Sequence, residues 1–339
     1  MNNVSFGLAF DIVEGIISYS CMAIVIITIP IYFVVVSILF CEIHCRSIHN
    51  AFFSIYLIGG FIDITSIFNN YLGSIFPAKG WFLQYYLSSP LTGQIYLMIA
   101  WGTRMCQGCT ALLLAFNRAT AVLKPASYGK FWTYKVGRSA MALQIIPGIC
   151  YGGVLSLTDF YWDLKNGGGY IQFADPVFKL RYFAAAFVWQ AIQMFLIICN
   201  YVIVLLLLRF KYRNVILVET DQNQQILKDK QKHERRLVYI SMIVCTLEIV
   251  CFAFSVYFFV INTNVNTRIF YLVYNALNDL YAATPPYLLI LFSTPFKRKL
   301  IKFLGLDQSD RSTEIIPIIR VQQSVVDMRT ENKRDVTVT

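Results

Sequence analysis

Four ionisable residues, Asp63, Arg104, Glu248 and Asp279, stand deep inside long apolar blocks of the chain. Each costs roughly 2.5–3.5 kcal/mol near the centre of a membrane helix, so none is expected to face lipid. Counted from the inner boundary of its block at 1.5 Å per residue, each lies roughly 18–21 Å above that boundary, and the four are expected to be nearly coplanar. This points to one buried polar cluster, with Arg104 as its fixed cation among three carboxylates and Asn278 beside Asp279. Two readings stay open. The cluster is either a static lock, which often adds little net stability, or a rearrangeable network at the floor of an outward-facing pocket, where a ligand or an ion changes which pairs form. By depth alone, Trp101, Trp189, Gln190 and Tyr257 are candidate pocket residues.

Other chemistries find little support. The only histidines are His44, His49 and His233. There is no metal-ligand constellation, no phosphate-cradling glycine loop ending in lysine and no paired carboxylate site open to water, so an enzyme, a metal and a cofactor are all unexpected. Cys106 and Cys109 have C-x-x-C spacing, but on an apolar helix this reads as packing. None of the nine cysteines falls in an outer loop. The outer loops must therefore be held by packing rather than by disulfides.

The elements that position these residues follow from composition. Of 339 residues, 57% are hydrophobic and 14% charged, against roughly 25% charged in a soluble domain. Seven blocks are long enough to span a bilayer: Gly15–Phe40, Ala51–Phe76, Leu91–Asn117, Ser139–Leu157, Phe183–Leu208, Leu237–Ile261 and Ile269–Phe292. The predicted fold is an all-α membrane protein, a seven-transmembrane helix bundle. Lys and Arg number 23 in the connections on one side and five on the other. The positive-inside bias then puts the N-terminus outside and the C-terminus in the cytosol. The expected organisation is an extracellular N-terminus over 1–14, the bundle over 15–292, an amphipathic helix on the inner leaflet over 293–305 and a cytosolic tail without fixed structure over 306–339. The net charge of +10 is accounted for by this topology and by anionic inner-leaflet lipid, and it makes no case for nucleic acid.

Outside, Thr158–Tyr182 is read as a loop whose Gly167-Gly168-Gly169 is a hinge or a solvated turn. Trp81, Tyr85, Tyr86, Tyr161 and Trp162 are read as an interfacial belt. Gly148-x-x-x-Gly152 is a close-packing motif, within the bundle rather than between copies. Asn3-Val4-Ser5 is a glycosylation sequon on the outer side.

At the inner end of the third block stands Phe116-Asn117-Arg118, followed by Pro125, Tyr128 and Trp132; the sixth block is preceded by His233-Glu234-Arg235-Arg236-Leu237. The seventh runs Asn278-Asp279-Leu280-Tyr281 to Pro285-Pro286-Tyr287, then Phe292-Ser293-Thr294-Pro295-Phe296-Lys297-Arg298. Together these resemble the nematode chemoreceptors of the serpentine receptor gamma class and its close relatives. The resemblance implies a G-protein-coupled receptor at the plasma membrane, for external small molecules, in sensory neurons and their cilia, with heterotrimeric G protein as partner. By similarity to rhodopsin-like receptors, Arg118 matches the arginine that lies against the G-protein peptide and Pro286 the proline of the seventh helix. Asn117 stands where those receptors usually carry an acid, which leaves Glu234 as the candidate partner of Arg118. Lys124, Arg235 and Arg236 are the other expected G-protein-facing residues. The competing reading is a channel or carrier with the buried charges as an ion path.

Overall fold

The computed structural model describes residues 2–44, 51–124, 127–165, 167–215, 221–257 and 267–306, with the backbone alone at 2–11, 44, 208, 210–215, 221–235, 237, 267, 268 and 295. Pro125, His49 and the tail from 307 lie outside the described residues. In chain order the elements are α1 (Asn2–His44), α2 (Ala51–Asn70), a π-turn (Tyr71–Ile75), α3 (Phe76–Ala78), α4 (Leu83–Leu87), α5 (Pro90–Leu123), α6 (Tyr128–Phe131), α7 (Tyr134–Gly153), β1 (Phe160–Lys165), β2 (Gly168–Phe173), α8 (Pro176–Val215), α9 (Asp221–Val256), α10 (Thr267–Phe292) and α11 (Thr294–Phe303). The described residues divide into two units, one up to Ser293 and the other from Thr294.

Among the described residues seven helices are long, and five contain a stretch long and apolar enough to cross a membrane: Ile12–Ile43, Ala51–Ala78, Tyr134–Leu157, Pro176–Leu207 and Val238–Val256. The exceptions are α5 and α10. Helix α5 is packed against α2, α7, α8 and α9, and its Arg104, Gln107, Asn117 and Arg118 are all buried. A helix ringed by other helices can exchange apolar for polar residues without showing them to lipid. Helix α10, against α1, α2 and α9, carries Asn275, Asn278 and Asp279 for the same reason. The outward sides of α7 and α8 remain apolar, with Leu143, Ile146, Ile149, Val188 and Phe195 exposed.

Local sequence sets the helix ends and bends. Ser89 caps α5, accepting from the Leu91 amide at 3.2 Å ahead of Pro90. Asp175 does the same for α8, accepting from Val177 and Phe178 at 2.8 and 3.2 Å. In α10, Pro286 has no N–H to offer the Ala282 carbonyl four residues back, and that carbonyl lies instead 2.7 Å from the Tyr32 hydroxyl of α1, whose one proton is shared between it and Asp63. In the second unit, α11 stops at Gly305, whose φ of 68° is left-handed. The amides of Gly305 and Leu306 return to Lys302 and Ile301 at 3.1 Å, closing the helix end.

The segment read as a loop over 158–182 holds an antiparallel hairpin, with Lys165 paired to Gly168 and Phe160 to Phe173. Its apolar side packs into a roof of Tyr96, Leu155, Phe160, Ile171 and Tyr182. Tyr86 and Trp162 belong to that attachment rather than to a lipid-facing belt: both are largely covered, their rings lie 5.4 Å apart, and the Tyr86 hydroxyl donates to the Leu72 carbonyl. Trp81, Tyr85 and Tyr161 are exposed as expected. On the rim, Asp163 lies 2.7 Å from Lys165, and its hydrogen bond and charge raise the ammonium above its ordinary value.

Eight cysteines are described and all eight are free thiols, so packing holds the hairpin. Glycines permit it. A Cβ on Gly168 would stand 2.2 Å from the Ala78 carbonyl oxygen, a backbone atom with no room to retreat. Gly168→Ala is expected to loosen the hairpin by about 1–3 kcal/mol, seen as a roughly tenfold or greater rise in amide exchange over β1 and β2. Gly129→Ala, with nothing within 4 Å, should leave exchange unchanged; equal exchange in the two variants would disprove the attachment.

Candidate functional site

Three separate stations replace the single cluster expected of Asp63, Arg104, Glu248 and Asp279. The first is an ion pair. Arg104 on α5 meets Glu248 on α9 with two parallel bonds, Nη1 to Oε2 at 3.0 Å and Nη2 to Oε1 at 2.8 Å. Glu248 is 1% exposed, so the bidentate geometry satisfies a carboxylate that has no access to water. The Tyr281 ring of α10 lies 5.3 Å from the guanidinium carbon, adding a cation–π contact.

The second station is Asp63 on α2, served by neutral donors. Gln107 Nε2 donates to Oδ1 at 2.8 Å and the Tyr32 hydroxyl lies 2.9 Å from Oδ2. Gln107 sits three residues beyond Arg104, on the same side of α5, and Tyr281 bridges the stations by donating to the Gln107 carbonyl at 3.4 Å.

The third is Asp279 on α10. Asn70 Nδ2 reaches Oδ1 at 3.1 Å and the Tyr71 hydroxyl reaches Oδ2 at 2.9 Å. These donors lie seven and eight residues beyond Asp63, at the last residue of α2 and the first of the π-turn, so at about 1.5 Å per residue the two aspartates are served at levels about 10 Å apart. Coplanarity fails for that reason. Tyr71 opens the π-turn, and one extra residue per turn re-aims the side chains that follow. There the missing Cβ of Gly73 makes room for the Tyr96 side chain, whose Cδ2 it would otherwise meet at 2.1 Å.

Beside this station a small cleft of about 60 Å³ opens between α1, the π-turn and α3, the hairpin and α10. Glu14, Cys21, Lys79, Tyr170, Asn275 and Asp279 line it. Of the residues selected by depth, Asp279 alone lies there. Trp101 packs edge-on against Tyr182 and Phe183, with ring centres 6.2 and 4.9 Å away, as part of the roof. Gln190 is buried in α8, whereas Trp189 and Tyr257 are exposed. Asn278 is half-buried on α10. A pocket among the third, fifth, sixth and seventh long helices is not formed by these side chains.

At the opposite end, Arg118 is 1% exposed. Its guanidinium carbon lies 4.4 Å from the centre of the Phe52 ring, and Nη2 donates to Asn117 Oδ1 at 2.6 Å. Asn117 Nδ2 donates in turn to the Tyr128 hydroxyl at 2.9 Å. Trp132 Nε1 donates to Thr120 at 2.7 Å, fastening α6 back on α5. Arg118 is thus folded inward. Lys124 is exposed at the end of α5 and Arg236 is half-buried on α9. The side chains of Glu234 and Arg235 lie outside the described residues.

The neutral members of these stations, Tyr32, Asn70, Tyr71, Gln107 and Tyr281, escape a reading built on charge. A signal existed: Asn70 lies seven residues from Asp63, two helical turns along one face.

Comparison with known proteins agrees with this architecture. The family described as "Serpentine type 7TM GPCR chemoreceptor Srv" matches residues 21–306, most of the chain. The C. elegans protein "Serpentine receptor class V-1" is 29% identical over 187 residues, 52% of this chain and 58% of the relative, so the match spans little more than half of that relative's length. The resemblance to the gamma class and its close relatives resolves to class V. This is a multi-pass membrane protein, and the chain belongs to the Srv family of serpentine seven-transmembrane GPCR chemoreceptors.

Proposed function

We propose that the protein is a chemosensory receptor of the plasma membrane, in the sensory cilium of a neuron, which binds an external small molecule and signals through a heterotrimeric G protein. The excess of Lys and Arg on one side supports an outside N-terminus and a cytosolic tail. The division into 1–14, 15–292, 293–305 and 306–339 follows from that orientation.

The observation that carries the reading is the Arg104–Glu248 pair. It joins α5, which carries Arg118 nearer its C-terminal end, to α9, which carries the basic stretch around Arg236 nearer its N-terminal end. A movement of α9 relative to α5 has to break or re-form it. A ligand shifts the bundle only if it binds one arrangement better than the other. In the alternative arrangement the lower end of α9 swings outward, Arg118 leaves Phe52 and Asn117, and Arg118, Lys124, Arg235 and Arg236 face a partner helix.

A heterologous cell with a Gα nucleotide-exchange readout tests this. Compounds that evoke exchange through the wild-type receptor are expected to lose at least about tenfold of it in Arg118→Ala, at equal surface display. Evoked current or flux without any Gα response would replace the receptor by a channel or carrier.

A further inference from the structure

The cavity beside Asp279 has a chemistry that depth-based reasoning about a receptor pocket did not reach. We infer that it is the site for a small primary ammonium compound, whose head group is held by Glu14, Asn275 and Asp279 beneath the hairpin. This rests on the reading of the protein as a receptor for an external molecule.

The lining is rich in acceptors. Two carboxyl groups, Glu14 and Asp279, border it together with Asn275. Asn275 Oδ1 is buried and has no hydrogen-bond partner among the described residues. A buried acceptor left unpaired costs roughly 1–3 kcal/mol, so a donor arriving from solution is stabilised there. An ammonium carries three N–H donors and no acceptor, which matches three acceptor groups; the one cation of the lining, Lys79, stands at the rim beside Glu14 rather than at the deeper acceptors. The Tyr170 and Tyr271 rings, with centres 5.5 Å apart, stand at the same cavity and offer faces to a cation.

The chain already displays the preference at the rim. Lys79 Nζ stands 4.0 Å from Glu14 Oε1 and 5.6 Å from the centre of the Tyr19 ring. Lys79 bonds neither Asn275 Oδ1 nor Asp279, so the deeper acceptors remain for another ammonium. The π-turn gives the cavity its inner wall: it ends at Ile75, which lines the space, and begins at Tyr71, which holds Asp279.

Cys21, a free thiol in the lining, reports on this directly. Purified receptor in nanodiscs is treated with 2-aminoethyl methanethiosulfonate or with its 2-sulfonatoethyl counterpart, and the Cys21 peptide is followed by mass spectrometry. One thiol attacks both reagents, so their rate ratio, divided by the ratio for free N-acetylcysteine, reads the cavity alone. The expected result is a preference for the cationic reagent of at least about tenfold, reduced several-fold in Glu14→Gln. Ethylammonium chloride should also slow labelling by uncharged methyl methanethiosulfonate, where sodium chloride at equal ionic strength does not. A normalised ratio near one in the wild type, or equal slowing by the two salts, overturns the proposal. No G protein enters this measurement, so an absent preference with intact ligand-evoked exchange removes the ammonium site and leaves the receptor reading standing. A clear preference in a protein that never drives exchange does the reverse.

Discussion

Arg104→Met is expected to lower the melting temperature of the detergent-purified receptor by roughly 10 °C, and Arg104→Met with Glu248→Met to recover most of that loss. The single change leaves Glu248, 1% exposed, without the guanidinium that supplies both of its bonds. Breaking one side of a buried pair costs about 3–5 kcal/mol, because the remaining ion is stranded where water cannot reach it. Removing both ions takes away the desolvation penalty together with the attraction, and such replacements are often neutral or stabilising. Glu248→Met alone should be as damaging as Arg104→Met. A double variant no more stable than the single ones would show that the pair is not the unit of stability.

The double variant also decides between lock and switch. If it displays normally and drives ligand-independent exchange, the pair restrains α9 in the resting arrangement and a ligand acts by loosening it. If it displays normally and responds to ligand as the wild type does, the pair only braces the bundle. Asp63 and Asp279 offer a contrast, since each is held by neutral donors. Asn in either place keeps the shape and one acceptor oxygen, so Asp63→Asn should be milder than Arg104→Met.

The seven long helices were legible because a bilayer demands about 20 apolar residues per crossing, and the blocks around α5 and α10 survive even though their polar residues dilute them. The depth of the four charges was legible for the same reason, as distance along a helix is a residue count. Their pairing was not. Which side chains meet depends on the rotation of each helix about its axis and on the π-turn after Asn70, and neither enters a count taken from the inner boundary. Glu14 illustrates the point. Read as the end of a separate N-terminal segment, it drops out of any site; within α1 it stands 4.0 Å from Lys79 at the rim of the cavity. The hairpin was missed although Asn166-Gly167 is a two-residue turn signal between runs with β-forming residues, because Gly167-Gly168-Gly169 reads first as a flexible loop. Gly168 is in fact a strand residue whose bareness lets β2 lie on Ala78.

The Gly148-x-x-x-Gly152 motif carries the other large effect. Gly152→Ala is expected to abolish surface display, while Gly153→Ala, one residue on, should be neutral or slightly stabilising. A Cβ on Gly152 would lie 2.3 Å from the Met98 carbonyl oxygen of α5, and one on Gly148 would lie 2.4 Å from the Gly102 carbonyl oxygen and 2.2 Å from Cys106 Sγ. The two carbonyl contacts are backbone approaches, so relief requires moving a whole helix rather than turning a side chain. Overpacking of this kind reaches or exceeds the upper end of about 1–3 kcal/mol. Gly153 has nothing within 4 Å, and a methyl there brings only the helix preference of Ala over Gly. Display by flow cytometry and monodispersity in detergent distinguish the two. The consequence reaches beyond the seam, since α5 carries Arg104 towards Glu248 and Arg118 over Phe52 from one rigid rod. Pushing α5 off α7 by a methyl's breadth displaces both arginines, so any Gly152→Ala receptor that reaches the surface should lose ligand-evoked exchange, and one that displays and signals normally would refute a rigid α5–α7 seam.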